Sequence, residues 1–258
     1  MKLISSRENA QFKEWLKLTE SARQRRKLGL TLLDGTHLLD AALQCGAVPD
    51  QVMVTEAGLR DAEVAALLQR LPDTPVVCMG EALFAELSEL KTVTGILSLC
   101  AIPSPKSAAA HSRFALLLEE IQDPGNLGSM LRSAAAAGCD AVFLSKGCAD
   151  AWSPKVLRAA MGGHFVLSIH EHADLMAVAA ALPGTLYAAA LQSEANLYRC
   201  DLHMPIAFAV GNEGAGLSDA LQAQAKPVRI PMPGQVESLN AAAAAAICLF
   251  EAVRQNLT

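Results

Sequence analysis

Short apolar runs alternate along the chain with longer segments in which apolar residues recur every three or four positions. In the first hundred residues the strand-like runs are Leu28–Leu33, Gln51–Val54, Pro75–Met79 and Gly95–Cys100. The helix-like segments are residues 6–20, His37–Cys45, Ala57–Leu71 and Glu81–Leu90. The first carries Phe12, Trp15 and Leu16 as a short stripe, with Ser5 or Ser6 as its cap. Asp34-Gly35-Thr36 reads as a turn and cap, and Gly46 stops the second helix. This alternation predicts a small α/β unit over residues 1–100.

Residues 101–111 break the pattern, with two prolines and no large apolar residue after Ile102, and read as a linker. The alternation then resumes over residues 112–258. Strands are predicted at Phe114–Leu118, Ala141–Leu144, Phe165–Ile169, Leu186–Ala190, Ile206–Val210 and Val228–Ile230. Most are apolar at every position, as expected of a parallel sheet covered on both faces. Helices fit between them at Leu127–Ala137, Lys155–Met161, Ala173–Leu182 and Leu217–Ala225, and a last one runs from Asn240 to Asn256.

Composition agrees with a folded α/β chain: 52% of residues are apolar and 18% charged, enough for a core and too few charges for disorder. The net charge of −5 argues against a nucleic-acid partner, but its distribution does not. Residues 1–30 hold eight basic side chains against three acidic ones, a local balance of +5. A basic patch for nucleic acid and a solvated helix face followed by a basic loop account for this equally well. Seven scattered cysteines, odd in number and without a CxxC pair, read as free thiols of a cytoplasmic protein. No apolar stretch reaches the roughly 18 residues of a membrane span, and the N-terminus lacks a secretory apolar region.

Three stretches carry candidate chemistry. In the first, Asp123-Pro124-Gly125-Asn126-Leu127-Gly128-Ser129-Met130-Leu131-Arg132 follows a strand and opens a helix. Helix starts attract anions, and Arg132 is a permanent cation that can hold a phosphate or steady an oxyanion. Asn126 and Arg132 share a face only if Asn126 sits in the loop, and an ordinary capped helix with a surface arginine is the simpler account. The second, Gly211-Asn212-Glu213-Gly214-Ala215-Gly216, has the order GxxGxG, not the GxGxxG of dinucleotide sites. Glu213 would repel a pyrophosphate, and no acid ends the next strand to hold a ribose. What remains is a glycine-lined loop with one carboxylate, suited to a neutral or cationic ligand. In the third, Ser238 or Asn240 of Glu237-Ser238-Leu239-Asn240 caps the last helix after the two-proline loop Pro231-Met232-Pro233-Gly234. His170-Glu171-His172 lacks further ligands at known spacing, so no metal is expected. Lys155 and Arg158, after Ser153-Pro154, either touch a phosphate or form a solvated face.

Together these stretches resemble the SpoU (TrmH-type) family of RNA ribose 2′-O-methyltransferases, in the SPOUT superfamily. Asn126, Gly128 and Arg132 match its first motif; Gly211, Glu213 and Gly216 match its second; Ser238 and Asn240 match its third. The match covers residues 112–258. The N-terminal unit is similar to the family's substrate-binding domain, a small ribosomal-protein-like α/β fold. The resemblance implies a SPOUT-type parallel-sheet catalytic domain whose chain threads a trefoil knot, which topology rules alone would not propose. It implies S-adenosylmethionine as cofactor, contacted by Gly211, Ile230 and Leu239. It implies Arg132 as the group that activates or orients a ribose 2′-OH, with Asn126, Glu213, Ser238 and Asn240 shaping the site. Arg23, Arg25, Arg26 and Lys27 would bind RNA, rRNA ahead of tRNA. A homodimer with its active site at or near the interface is implied, the small residues Ala241–Ala246 permitting close packing. The competing reading is an RNA-binding protein that keeps the fold and does not methylate.

Overall fold

The computed structural model describes residues 2–90 and 92–257. Its strands are β1 (Lys2–Ile4), β2 (Leu30–Asp34), β3 (Gln51–Val54), β4 (Val76–Met79), β5 (Ile96–Ala101), β6 (Phe114–Leu118), β7 (Ala141–Leu144), β8 (Ser168–His170), β9 (Thr185–Ala189), β10 (Ile206–Val210) and β11 (Lys226–Val228). Its α-helices are α1 (Ala10–Glu20), α2 (Ala22–Leu28), α3 (Thr36–Gln44), α4 (Glu56–Leu59), α5 (Ala62–Gln69), α6 (Glu81–Leu87), α7 (Pro124–Ala137), α8 (Pro154–Ala160), α9 (Leu175–Ala181), α10 (Asp219–Gln222) and α11 (Ala241–Asn256). The chain divides into two compact units, one of residues Met1–Pro103 with Trp152–Phe165, the other of Ser104–Ala151 with Val166–Thr258.

The first unit is a five-stranded sheet in the order β1-β4-β3-β5-β2. β5 runs antiparallel to both of its neighbours, and the other pairings are parallel. One face is buried by α1 and α6 through Phe12, Trp15, Leu18 and Phe84, and the other by Leu39, Val64 and Leu67 of α3 and α5. The helix predicted over residues 6–20 starts later than its serines suggest. Asn9 is its cap and accepts the Gln11 and Phe12 amides at 2.9 and 3.3 Å, so neither Ser5 nor Ser6 opens it. The basic segment, for which a solvated loop is one of two accounts, forms helix α2, closed by Gly29 in the left-handed conformation at φ 66°. The helix predicted over Ala57–Leu71 is two, because Asp61 starts a new one by capping Glu63 and Val64. Gly58 is forced by the close approach of β5: a Cβ there would lie 2.3 Å from the Gly95 carbonyl oxygen.

Strand β2 lies at the edge of this sheet, and its neighbour comes from far along the chain. The segment Trp152–Phe165, which includes α8, belongs with the first unit. Thr31 donates its hydroxyl to the Trp152 carbonyl at 2.9 Å. Covering an edge strand in this way removes a template for aggregation.

The second unit is a six-stranded, all-parallel sheet in the order β11-β9-β10-β6-β7-β8. From β6 the chain moves outward through β7 and β8, then returns to the other side of β6 with β9, β10 and β11. The order therefore reverses between β6 and β10, and in parallel sheets a crevice opens beyond the C-terminal strand ends at such a point. Every residue of β6 and β10 is buried, as their unbroken apolar pattern implies. Three predicted elements shift. β8 begins only at Ser168, since Gly163–Phe165 forms a 3₁₀ turn. β11 ends at Val228, leaving Arg229 as an isolated bridge to Asn196. The helix predicted over Leu217–Ala225 shrinks to the single turn of α10.

Candidate functional site

The reversal point is lined by the segments that leave β6 and β10. After β10 the chain turns back within six residues. Asn212 builds that turn: its backbone exchanges hydrogen bonds with Gly216 at 3.1 and 2.9 Å. Its side-chain oxygen accepts the Gly214 and Ala215 amides at 2.8 and 3.1 Å, an Asx turn. Its side-chain nitrogen donates to the Glu120 carbonyl at 3.0 Å, tying the turn to the segment after β6. Gly211 has no alternative here, since a Cβ would lie 2.2 Å from the Gly216 carbonyl. Glu119 closes the other end, accepting the Ser218 amide and hydroxyl at 2.7 and 2.8 Å. Neither Asn212 nor Glu119 stands out among the candidates that the sequence offers. An asparagine inside a glycine-rich turn is a readable Asx-turn signal, whereas Glu119 has no local signature.

Helix α7 opens at the same place. Asp123 caps it by accepting the Asn126 amide at 2.7 Å, and Pro124 takes the first turn, where no amide is needed. Helix α11 is capped by Asn240, whose Oδ1 accepts the Ala242 and Ala243 amides at 2.9 and 3.2 Å. Because that oxygen is engaged, the Asn240 amide nitrogen points outward and donates to Asn126 Oδ1 at 2.9 Å. Asn126 then has only its nitrogen to offer, and this donates to Glu213 Oε1. Each amide orientation follows from the one before it. The chain from the start of α11 through Asn240 and Asn126 thus fixes the Glu213 carboxylate as an acceptor.

Beside this chain lies a cavity of about 300 Å³. It is lined by the turn segment Val210–Gly216 and by Ala189–Leu191, Val228, Ile230, Met232, Ser238, Leu239, Ala241 and Ala244. Gly211, Glu213, Ile230, Ser238 and Leu239 from the sequence-derived set therefore line one space, and Asn126 and Asn240 adjoin it through Glu213. Asn240 is indeed a helix cap, and it holds Asn126 as well. The lining residues are mostly apolar or glycine, with Asn212 and Ser238 as polar side chains and Glu213 as the one carboxylate. Such a lining suits a partly apolar ligand that is neutral or bears positive charge.

Arg132 is not among the lining residues. Asn126 sits inside the first turn of α7 instead of in a loop, so the two do not share a face. Arg132 is exposed, and its side chain makes no hydrogen bond or ion pair among the described residues. Of the four basic residues in α2, Arg23, Arg26 and Lys27 are exposed, but Arg25 is only 3% exposed. Its guanidinium donates to the Leu18 carbonyl and, at 3.1 Å, to the Thr19 carbonyl, so Arg25 fastens α2 to α1 and is corrected from a surface cation to a structural one. His170 is likewise structural, with Nε2 2.6 Å from the Ser107 carbonyl and its ring stacked on Phe143. Among the described residues no group of three or more His, Cys, Asp or Glu side chains is placed to hold a metal ion, and no helix is long and apolar enough to cross a membrane. The cysteines are free, and burial pushes the Cys100 and Cys248 thiols up to about 12.

A parallel α/β sheet with a glycine turn, a capped helix start and a cavity at its reversal point defines a small-ligand-binding class of protein. Comparison with known proteins narrows this. The model of the SpoU rRNA Methylase family matches residues 113–250, and that of the MRM3-like substrate binding domain matches residues 9–98. The chain belongs to the SpoU rRNA methylase family. It is 36% identical to the 23S rRNA (guanosine(2553)-2′-O)-methyltransferase RlmP of Bacillus subtilis, over 97% of this chain and 98% of that one. It is 33% identical to the mitochondrial rRNA methyltransferase 3 of Homo sapiens, over 92% of this chain and 70% of the relative. Among solved structures, the SpoU methyltransferase AviRb from Streptomyces viridochromogenes, in complex with AdoMet, superposes with a TM-score of 0.87 at 28% identity, covering 97% of this chain and 99% of that one.

Proposed function

We propose that this protein is an S-adenosylmethionine-dependent methyltransferase that modifies a ribose 2′-OH of rRNA. The observation that carries the reading is the hydrogen-bonded chain Asn240–Asn126–Glu213 along the cavity, which joins residues of all three stretches that resemble the family's motifs. The rRNA-directed relatives align along both units, which favours rRNA over tRNA.

The cavity fits the cofactor on its chemistry. Leu191, Val228, Ile230, Met232 and Leu239 offer apolar surface to a purine, and the Gly211–Gly216 turn offers backbone groups with no Cβ to block approach at Gly211. The cofactor supplies, when bound, a methyl group on a positively charged sulfur. The Glu213 carboxylate is the complementary charge at this wall. Asn126 and Asn240 keep that carboxylate in place, and Ser238 bounds the cavity. A ribose hydroxyl is a weak nucleophile that must lose its proton as it attacks, so the protein contributes positioning and electrostatics. Arg132 is assigned to the substrate side, where its guanidinium holds RNA phosphate and orients the 2′-OH. Arg23, Arg26 and Lys27 contribute to RNA capture by the first unit.

With Arg132 outside the cavity, the reading completes the site at the interface of a homodimer. Ala243, Ile247 and Phe250 follow one another at helical spacing on α11, and Phe250 is 47% exposed, an apolar stripe that a second copy would cover. Phe250→Glu is expected to shift the protein to monomer in sedimentation, and an unchanged sedimentation coefficient would count against this face. The trefoil knot belongs to this reading and fits a chain that leaves β11, passes the proline loop and returns to pack α11 on α7 and β10. We place the protein in the cytoplasm, where unpaired cysteines stay reduced.

The deciding experiment is transfer of labelled methyl from S-adenosylmethionine to unmodified rRNA, followed by nuclease digestion to locate the label on ribose or base. Ribose label is expected, and Arg132→Ala should abolish it while sparing cofactor affinity by calorimetry. Base label, or RNA binding without transfer, would overturn the reading.

A further inference from the structure

A second feature of the same unit lies on the outer side of the cavity wall. Arg229 follows Val228 and precedes Ile230, both of which line the cavity, and its own side chain is exposed. Its backbone is pinned on both sides: its amide donates to the Ala195 carbonyl at 2.8 Å, and the Leu197 amide donates to its carbonyl at 2.9 Å. That pairing brings Arg229 beside the 3₁₀ turn Leu197–Arg199. The turn is rigid at both ends. Leu197 is fully buried, and Asn196 caps the turn by accepting the Tyr198 amide at 2.9 Å. From this anchored turn Tyr198 projects with 50% exposure, and Arg199 is exposed next to it. Lys226 stands close enough for its charge to act on Cys200 and Asp201.

Arg199, Lys226 and Arg229 have no side-chain hydrogen bond or ion pair among the described residues. Arg7, Lys13, Arg70 and Arg254 are each matched with a carboxylate. Two acids are near, Glu194 and Asp201, and Asp201 is engaged with His203 at 2.6 Å. A lysine followed by proline on edge strand β11 also guards against strand pairing, which accounts for Lys226. It does not account for a half-exposed tyrosine on a hydrogen-bonded turn, with Arg199 next to it in the chain and Arg229 paired to the same turn through its backbone. Flat aromatic surface flanked by unpaired guanidinium groups is the chemistry that holds single-stranded RNA, a base stacking while phosphates meet the cations.

We propose that Tyr198, Arg199, Lys226 and Arg229 form a docking surface for a single-stranded segment of the RNA substrate, on the outside of the wall that encloses the cofactor cavity. This rests on the rRNA methyltransferase reading above. The test measures anisotropy of a labelled oligouridylate of about 12 nucleotides and of an unmodified 23S rRNA fragment, across a salt series. The double variant Arg199→Ala/Arg229→Ala is expected to flatten the slope of log affinity against log salt by about 1.4, as for two lost phosphate contacts. Tyr198→Ala is expected to weaken binding about 5- to 150-fold with the slope unchanged, and Tyr198→Phe to restore it. Cofactor affinity by calorimetry should stay at the wild-type value in all variants. Unchanged RNA affinity and slope would overturn the proposal. So would a parallel loss of cofactor affinity, which would mean that the wall itself had collapsed, or a change in oligomeric state, which would make this face a subunit contact. Wild-type protein that binds RNA with these dependences but transfers no methyl would refute the enzyme reading and leave the surface standing.

Discussion

Asn240 does two jobs with two different atoms, and one substitution separates them. Its Oδ1 caps α11, and its Nδ2 orients Asn126. Asn240→Ala removes both. Loss of a cap costs about 1 kcal/mol, which for a chain of this size lowers Tm by about 2–4 °C. Asn240→Asp keeps an acceptor at the cap and places a negative charge at a helix start, which is neutral to favourable for stability. It has no donor for Asn126 Oδ1. Asn126 then turns its amide to donate toward the introduced carboxylate, and its oxygen faces Glu213. The bond given up is one to a charged group, worth about 1.5–3 kcal/mol when shielded. Asn240 is exposed, so water competes and the low end applies. The expectation is a Tm within about 2 °C of wild type together with a fall of about tenfold in kcat/KM for methyl transfer to rRNA. Calorimetric scanning and a steady-state transfer assay on the same preparations give both numbers. Full activity in Asn240→Asp, or a melting loss as large as that of Asn240→Ala, would refute the directional chain.

Other consequences can be measured independently. Arg25→Ala should destabilise the protein by about 2–3 kcal/mol in urea titrations, because it strips buried carbonyls of their donor, whereas Arg26→Ala should change stability by less than about 0.5 kcal/mol. Equal effects would mean that Arg25 is a surface cation after all. Alkylation of the native protein should label exposed Cys45 and spare Cys100 and Cys248, whose thiols at about 12 leave roughly 10⁻⁴ as thiolate at pH 8. Rapid labelling of Cys248 without unfolding would contradict the packing of α11. Burial holds the Asp34 carboxyl above its ordinary value, although hydrogen bonds from Ser88 and Glu89 and the charge of Arg158 oppose this. Its favourable contribution is therefore present below the unfolded carboxylate pKa of about 3.9 and is lost as pH rises through the folded value. Asp34→Asn should gain stability relative to wild type between acid and neutral pH, and a gap that narrows over that interval would reverse the assignment.

Local rules reached much of this molecule from the sequence. The runs Phe114–Leu118, Ala141–Leu144 and Ile206–Val210 coincide with β6, β7 and β10, because short all-apolar runs bounded by turn residues suit strands covered on both faces. Glycine and proline punctuation marked the turn at Gly211–Gly216 and the start of α7. Local patterning failed where a partner distant in sequence set the outcome. β1 has three residues and forms because β4 offers it an edge. The α2 segment is dense in charge, and what fixes it against α1 is Arg25, whose guanidinium donates to two carbonyls of that helix. Trp152–Phe165 lies between two strands of the second unit and yet belongs with the first, where it meets β2.

The candidate site divides the same way. Only the resemblance to the family's three motifs marks Asn126, Glu213, Ser238 and Asn240 as a group; taken one stretch at a time, they read as ordinary caps and turns. The role of each one is set by the folded arrangement. The sheet order reverses between β6 and β10, so two segments far apart in sequence end side by side, and a third returns against them. Amide orientation, cavity walls and the exclusion of Arg132 from them all follow from that placement. Hydrogen-bond direction is a property of neighbours in space, and no spacing along the chain encodes it.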